Sequence, residues 1–291
     1  MLKRRRSDAA ALSLMPEAEA FESADALLLS LNSVRSPSGL EGILRRKDVG
    51  SGGWCFFLAL FDQLGSVVIP DCRYLAVLAL VALADRRDEF EASVPGVGFL
   101  GDELPEVRQA RAALREVGVY QSLGVVELLT PFQCSVLDKL EGVLCGDLLE
   151  SRRYADDSEI QVLLQPVGLE ALVLESTDVS VGAAAARSRV YPNWDRVGPE
   201  VVAKLAAGDL DVVVVRYELG SYLHYQSVAF EDGRPWRVGA AKRELLERRF
   251  LSCEVCGAVA AGEADLARNL VLTLLGGVGA SLGVSARSCA V

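Results

Sequence analysis

The spacing of apolar residues changes about halfway along the chain, and this change limits the folds that the chain can adopt. In the first half, apolar residues recur at helical spacing, which predicts helices at 55–64, 73–92, 103–116 and 131–144. A short helix at 157–165 follows, and β-branched or alternating runs then predict strands at 169–176, 211–218, 221–230 and 236–240. Helices followed by strands indicate an α+β fold, in which a helical half packs on a small, mostly antiparallel sheet.

Breaks in composition divide the chain into three predicted regions. Residues 1–39 form an N-terminal extension with one amphipathic helix at 16–32, which ends before a helix-breaking SPSG segment. Residues 40–240 form the main domain, which begins with a loop or short strand at 40–51. Residues 241–291 form a C-terminal extension that begins as helix and becomes rich in glycine.

The overall charge and the hydropathy restrict the partners. A formal net charge of −10 argues against nucleic-acid binding and favours a basic partner. The longest uncharged stretch, Asn269 to Ala286, has 18 residues and only just reaches the length of a membrane span. It includes four glycines and several small polar residues, so its modest hydropathy argues against membrane insertion.

The cysteines and the N-terminus indicate a compartment. Seven cysteines, an odd number at irregular spacing, favour a reducing environment over a disulfide framework. The basic run Lys3–Arg6 leads into an acidic helix-like segment, which does not fit a secretory signal. The run fits a solvated tail or a nuclear address. We therefore expect a cytoplasmic or nuclear protein, or one in a host cytosol if it is a secreted effector.

Three short motifs match known patterns but lack the required context. GVGFLG at 96–101 resembles a dinucleotide loop, but no strand precedes it and two carboxylates follow it. GASLG at 279–283 resembles a nucleophile elbow, but the single histidine does not follow it in the chain. CEVC at 253–256 offers only two of the four ligands of a structural zinc site. We expect no metal and no cofactor.

Cys55 and His224 form the remaining candidate for chemistry. Two glycines precede Cys55 by two and three residues, and an apolar helix follows it, so its sulfur is expected near free N–H groups at the helix start. The positive helix end and a protonated histidine nearby would lower the thiol pKa. His224 is the only histidine of the chain and lies within a predicted strand. A thiol with an imidazole base is the general arrangement of cysteine hydrolases.

At these positions the chain resembles the ovarian-tumour (OTU) cysteine proteases, deubiquitinases of the papain-like superfamily. The segment GGWCFFLA at 52–59 is similar to the nucleophile motif of that family, and His224-Tyr225 is similar to its His-aromatic pair on a late strand. The segment 154–176, which includes SEIQ and an apolar run, resembles a further family element. The resemblance covers residues 45–230 and implies an OTU fold with the catalytic cysteine at a helix N-terminus.

The resemblance also implies roles for individual residues. Cys55 would be the nucleophile and His224 the base, while Gly52, Gly53, Trp54 and Tyr225 would bind the oxyanion or the substrate. The family places an acid where Gly52 stands, so the third catalytic residue stays open. In order of preference, the candidates are Gln226, then Asp48, then Asn193 or Asp195.

The implied activity is hydrolysis of isopeptide or peptide bonds after the C-terminal glycine of ubiquitin. The expected partner is therefore ubiquitin or a ubiquitin-like protein. Two alternatives remain open at this point: a catalytically weak or inactive OTU-like module that binds ubiquitin, and a papain-like protease that cleaves a different polypeptide.

Overall fold

The computed structural model describes residues 44–50, 54–145, 157–177, 187–191, 212–219, 222–234 and 236–276. The chain divides into two compact units that alternate along the sequence. The helical unit takes Arg73–Leu163 together with the chain from Glu247 onward. The sheet unit takes Leu164–Leu246 together with the described residues before Arg73. The three regions predicted from composition remain a prediction, and the predicted helix at 16–32 lies outside the described residues.

The sheet unit is built on five strands. They are β1 (Leu44–Lys47), β2 (Ala171–Thr177), β3 (Arg187–Tyr191), β4 (Val212–Leu219) and β5 (Tyr222–Phe230), in the spatial order β1-β5-β4-β2-β3. Only the pairing of β2 with β4 is parallel, and the other three pairings are antiparallel. The central strand β4 begins with four consecutive valines, which suits a strand that has neighbours on both sides. The mixed helical and mostly antiparallel architecture agrees with the α+β expectation.

Helix α1 (Cys55–Leu64) packs on β5, the strand that carries the single histidine. The ring of Phe56 meets the ring of Tyr225 edge-to-face, with centroids 5.3 Å apart, and both side chains are fully buried. The helix ends at Gly65, whose φ of 52° is in the left-handed region and whose N–H bonds the carbonyl of Phe61. A side chain at Gly65 would also collide with the guanidinium of Arg237.

In the helical unit, several helices surround one central helix whose sequence is almost entirely apolar. Their bounds, in chain order, are α2 (Arg73–Asp85), α3 (Arg87–Phe90), α4 (Pro105–Arg115), α5 (Gly118–Leu123), α6 (Pro131–Cys145), α7 (Asp157–Leu164), α8 (Ala240–Ser252), α9 (Glu254–Ala260) and α10 (Ala264–Leu274). Leu164, the last residue of α7, and residues 240–246, the first half of α8, belong to the sheet unit. In α2 every residue from Tyr74 to Ala84 is buried, since α6, α9 and α10 all pack against it. Its nearly continuous apolar sequence reflects burial on all sides.

Most predicted elements are confirmed, and two differ in an informative way. The predicted helix at 73–92 is interrupted at Arg86, whose backbone leaves helical geometry between α2 and α3. The predicted strand at 236–240 is wrong. The N–H of Trp236 bonds the carbonyl of Val228, whereas the N–H of Val238 bonds the carbonyl of Gln63, so the segment joins no continuous ladder. Helix α8 then begins at Ala240. Strand β3 was not predicted.

The part of the chain that the structure describes includes no helix with both the length and the apolar character needed to cross a bilayer. Helix α10 ends at Leu274, and the rest of the uncharged stretch beyond Gly276 lies outside the described residues.

A buried polar cluster lies within the helical unit. Arg268 on α10 donates to both carboxylate oxygens of Glu141 on α6, at 2.8 and 2.7 Å. The hydroxyl of Tyr120 on α5 donates to the same carboxylate at 2.8 Å. The carboxylate therefore links three helices in a part of the unit where its side chain is 11% exposed. Buried charges of this kind stabilise a fold only while each keeps its partner.

We predict that Arg268→Met lowers the free energy of unfolding by about 3 kcal/mol, because it leaves the Glu141 carboxylate buried without its cation. Urea denaturation followed by circular dichroism measures the change. Arg115→Met is the matched control: Arg115 pairs with Glu127 at the surface, with side-chain exposures of 49% and 66%. The control should lose less than about 1 kcal/mol. Equal losses in the two variants would contradict the prediction.

Candidate active site

The candidate site begins at the first residue of α1. Trp54 precedes the helix, and its carbonyl accepts the first intrahelical hydrogen bond, from the N–H of Leu58 at 2.8 Å. Among the described residues, no side chain caps this end of the helix, and its first turn has no acidic residue. Cys55 therefore begins the helix as predicted, next to backbone N–H groups that no side-chain cap occupies. The residue is 1% exposed.

The sulfur of Cys55 lies against the edge of β5. The backbone N–H of Tyr225 donates to it, and the N–H groups of Phe56 and of Cys55 itself lie near enough to favour its ionised form. The ladder between β1 and β5 ends at the pair Lys47 and Ser227, two residues short of Tyr225. The Tyr225 N–H therefore lies beyond the end of the β1–β5 ladder and contacts the Cys55 sulfur.

The expected lowering of the Cys55 pKa is wrong. Burial is the largest influence and raises the pKa of the thiol above its ordinary value, although the three backbone N–H groups lower it in part. In this conformation the thiol is therefore neutral near pH 7. A nucleophilic step would then require a base that removes the thiol proton as the sulfur attacks.

His224 lies on β5 directly before the residue that contacts the Cys55 sulfur. It pairs with Tyr217 of β4, and its side chain is 19% exposed. Successive side chains of a strand point to opposite faces, so His224 and Tyr225 lie on different faces of the sheet. Tyr225 faces α1, and its backbone binds the sulfur. The structure thus places the Cys55 sulfur at the backbone of Tyr225, the residue after His224, while the His224 side chain lies on the other face of the sheet.

Asp48 lies beside His224 at the end of β1. Its Oδ1 atom is 4.0 Å from Nε2 of His224, which is a contact between charges when the ring is protonated but exceeds hydrogen-bond length. The same Oδ1 atom accepts the N–H of Gly50 at 3.0 Å, which fixes the direction of the carboxylate. The side chain of Asp48 is 70% exposed. Water therefore weakens its attraction for an imidazolium ring.

Gln226, the first choice for the third catalytic residue, is placed differently. It lies two residues after His224 on the same strand and therefore on the same face of the sheet. Its Oε1 atom is buried and has no hydrogen-bond partner, so it does not accept a hydrogen bond from the imidazole in this conformation. Of the two preferred candidates, Asp48 is the one for which the structure gives a charge contact with His224.

The structure describes only some of the remaining predicted site residues. Trp54 is 9% exposed, and its ring packs against Phe57 with centroids 5.9 Å apart. The indole Nε1 of Trp54, next to Cys55 in sequence, is buried and has no hydrogen-bond partner among the described residues. Gly52 and Gly53 lie outside the described residues, as do Asn193 and Asp195.

Sequence reasoning missed a polar cluster between α1 and the sheet. Asp62 and Gln63 of α1 both hydrogen-bond the hydroxyl of Ser227 on β5, and Lys47 of β1 pairs with Asp62. Asp62 and Ser227 were not recognised, because a polar residue in a helix or strand ordinarily indicates a solvated face. One signal was present: Tyr225, Ser227 and Ala229 alternate along β5 and so share the face that α1 covers.

Two of the three other motifs lie in described parts of the chain. Cys253 caps α9 with its sulfur, which accepts the N–H of Cys256 at 3.3 Å. The segment GVGFLG forms a tight turn closed by a hydrogen bond from Gly101 to Gly98, and it opens no nucleotide-binding helix. Within the described segments, no three His, Cys, Asp or Glu side chains converge as metal ligands would. The GASLG motif lies outside the described residues.

Comparisons with known proteins leave the family undetermined. No protein-family model matches the chain, and no curated protein matches it.

We predict that Cys55 reacts slowly with iodoacetamide at pH 7 and that its rate rises steeply above about pH 8.5, the pKa of an unperturbed thiol. Burial raises the pKa of Cys55, so less of it is thiolate at neutral pH than in a free cysteine. Peptide mapping by mass spectrometry measures each cysteine separately, with the exposed Cys145 as internal reference. Faster modification of Cys55 than of Cys145 at pH 7 would contradict this account.

Proposed function

We propose that the protein is a thiol hydrolase in which Cys55 is the nucleophile and His224 the base. The observation that carries the proposal is the hydrogen bond from the backbone of Tyr225 to the Cys55 sulfur, because it holds the thiol beside the strand position of the only histidine. The start of α1 adds backbone N–H groups near the reacting atom. We further propose that the α1–β5 pairing belongs to a papain-like OTU fold.

The proposed reaction proceeds by general base and then general acid catalysis. As the sulfur of Cys55 attacks the carbonyl carbon, the thiol proton passes to a ring nitrogen of His224. His224 then protonates the leaving amine, and the acyl group remains on Cys55 as a thioester. A water molecule, deprotonated by His224, hydrolyses the thioester and restores the thiol. The burial that raises the pKa of Cys55 favours this route over a preformed thiolate.

Backbone groups would stabilise the negative charge that develops during attack. The N–H groups of Cys55 and Phe56 lie at the helix start and already contact the sulfur. In this role they would donate to the carbonyl oxygen of the substrate, with help from Gly52 or Gly53 as the resemblance implies. The unused indole N–H of Trp54 is a further donor for the substrate backbone. Asp48 would stabilise the imidazolium at the distance that separates them.

The proposed substrate class is ubiquitin or a ubiquitin-like protein, cleaved after its C-terminal glycine. Support for this class comes from the resemblance of residues 52–59 and of His224-Tyr225 to OTU proteases. The net charge of −10 is compatible with a basic partner.

We expect the protein to cleave di-ubiquitin of at least one linkage, as measured by gel densitometry over a panel of linkages. Cys55→Ala should lower kcat by about four orders of magnitude, because no other group can form the thioester. Cys72→Ala is the matched control, since it removes another buried cysteine of the sheet unit and should leave kcat within about twofold. Asp48→Asn should lower kcat by about tenfold, a modest loss that reflects its exposure.

Three results would contradict the proposal in different ways. No cleavage of any linkage or modifier excludes the ubiquitin substrate class. Cleavage of a linear polypeptide without cleavage of ubiquitin chains would identify a papain-like protease with another substrate. Equal activity of Cys55→Ala and the unmodified protein would exclude Cys55 as nucleophile.

A second candidate function is a non-catalytic module that binds ubiquitin. Two observations favour it. Cys55 is 1% exposed, and Nε2 of His224 is 4.0 Å from Oδ1 of Asp48, too far for the ring to donate a hydrogen bond to that carboxylate. This candidate predicts ubiquitin binding that is the same in the unmodified protein and in Cys55→Ser, without turnover. Isothermal titration calorimetry on both proteins, next to the cleavage assay, separates the two functions.

A further inference from the structure

A buried polar cluster joins the helix of Cys55 to the strand of His224. Ser227 on β5 is completely buried, and its hydroxyl donates to Oδ2 of Asp62 at 2.8 Å. The same hydroxyl accepts a hydrogen bond from Nε2 of Gln63 at 3.1 Å, and Gln63 is also completely buried. The single hydroxyl therefore bridges two consecutive side chains of α1.

A third element closes the cluster. Lys47 lies opposite Ser227 in the β1–β5 ladder, and its ammonium binds Oδ1 of Asp62. The side chain of Asp62 is 18% exposed, so its carboxylate is largely removed from water and depends on these two partners. The backbone carbonyl of Gln63 also accepts the N–H of Val238, and that of Asp62 accepts a hydrogen bond from Arg237. The end of α1 is thus held to the sheet unit at several points.

The rise of the helix and of the strand sets the spacing between the cluster and the two candidate catalytic residues. Asp62 is seven residues after Cys55, or about 10 Å along the helix. Ser227 is three residues after His224, or about 10 Å along the strand. At the other end of the contact, the rings of Phe56 and Tyr225 pack edge-to-face. The hydrogen bonds of the cluster are directional, so they restrict the register between α1 and β5.

We propose that Asp62, Gln63 and Ser227 are positioning residues that fix the register between α1 and β5 and thereby hold the Cys55 sulfur at the Tyr225 N–H, next to the strand position of His224. None of them touches the reacting atoms. Their effect on turnover rests on the proposed function, whereas their effect on the position of the Cys55 sulfur at the Tyr225 N–H does not. A shift of about 1 Å at a reacting pair can cost about 100-fold in rate.

The decisive variant is Ser227→Ala, which removes the bridging hydroxyl and adds no bulk. The readout is hydrogen exchange of the Tyr225 amide, because this N–H donates to the Cys55 sulfur. We expect Tyr225 to exchange at least about tenfold faster in the variant, while the amides of the β4–β5 ladder serve as internal reference. Asp62→Asn, which keeps an acceptor for Ser227 but loses the ion pair with Lys47, should give a smaller acceleration.

Ser66→Ala is the matched control. The Ser66 hydroxyl also makes two hydrogen bonds within the sheet unit, to the N–H groups of Val68 and Ile69, but both lie in the loop after α1. The control should leave Tyr225 exchange within about twofold of the unmodified protein. Unchanged Tyr225 exchange in Ser227→Ala would overturn the proposal. Uniform acceleration over the whole β4–β5 ladder would also overturn it, because it would show a general loss of stability.

Kinetics on the same variants separates this inference from the proposed function. If the unmodified protein cleaves its substrate, Ser227→Ala should lower kcat by about 100-fold with KM within twofold. An unchanged kcat would overturn the catalytic part of the proposal. If the unmodified protein cleaves nothing while Tyr225 exchange responds as expected, the proposed function fails and the positioning of Cys55 stands.

Discussion

The contact between α1 and β5 determines the candidate site, because it joins the helix that carries Cys55 to the strand that carries His224. One end of this contact is the edge-to-face pair of Phe56 and Tyr225, together with the N–H of Tyr225 that binds the sulfur. The other end is the hydroxyl of Ser227 between Asp62 and Gln63. The candidate nucleophile therefore occupies a position defined by tertiary packing and not by the helix alone.

Burial gives this site its chemical character. The N–H groups around the Cys55 sulfur would stabilise a thiolate, but loss of water around the thiol outweighs them and raises its pKa. A neutral thiol is compatible with the proposed hydrolase, in which proton transfer to His224 would accompany attack. The same burial is the strongest feature in favour of a non-catalytic binding module. The thiol hydrolase and the binding module would have the same arrangement of residues and would differ only in whether a substrate carbonyl reaches the Cys55 sulfur.

The sequence predicts the local parts of this structure well. Helix α1 has the same ends as predicted, since an apolar run bounded by glycines allows few alternatives, and β4 and β5 pair as their patterns indicate. The predicted strand at 236–240 failed because its N–H groups bond two different elements, which no local pattern reveals. The pKa of Cys55 was predicted in the wrong direction, since the depth of burial depends on tertiary packing. The cluster role of Asp62 and Ser227 was not predicted, because a sequence does not distinguish a buried polar residue from a solvated one.

The most direct measurement of the Cys55–His224 pair is the rate at which a ubiquitin with a C-terminal electrophile forms a covalent adduct with the protein. Mass spectrometry of the digested product identifies the modified residue among the seven cysteines. The proposed pair predicts a single adduct on Cys55 in the unmodified protein and adduct formation at least about 100-fold slower in His224→Ala. An adduct on another cysteine, equal rates in the two proteins, or no adduct at all would contradict the assignment of Cys55 and His224 as nucleophile and base.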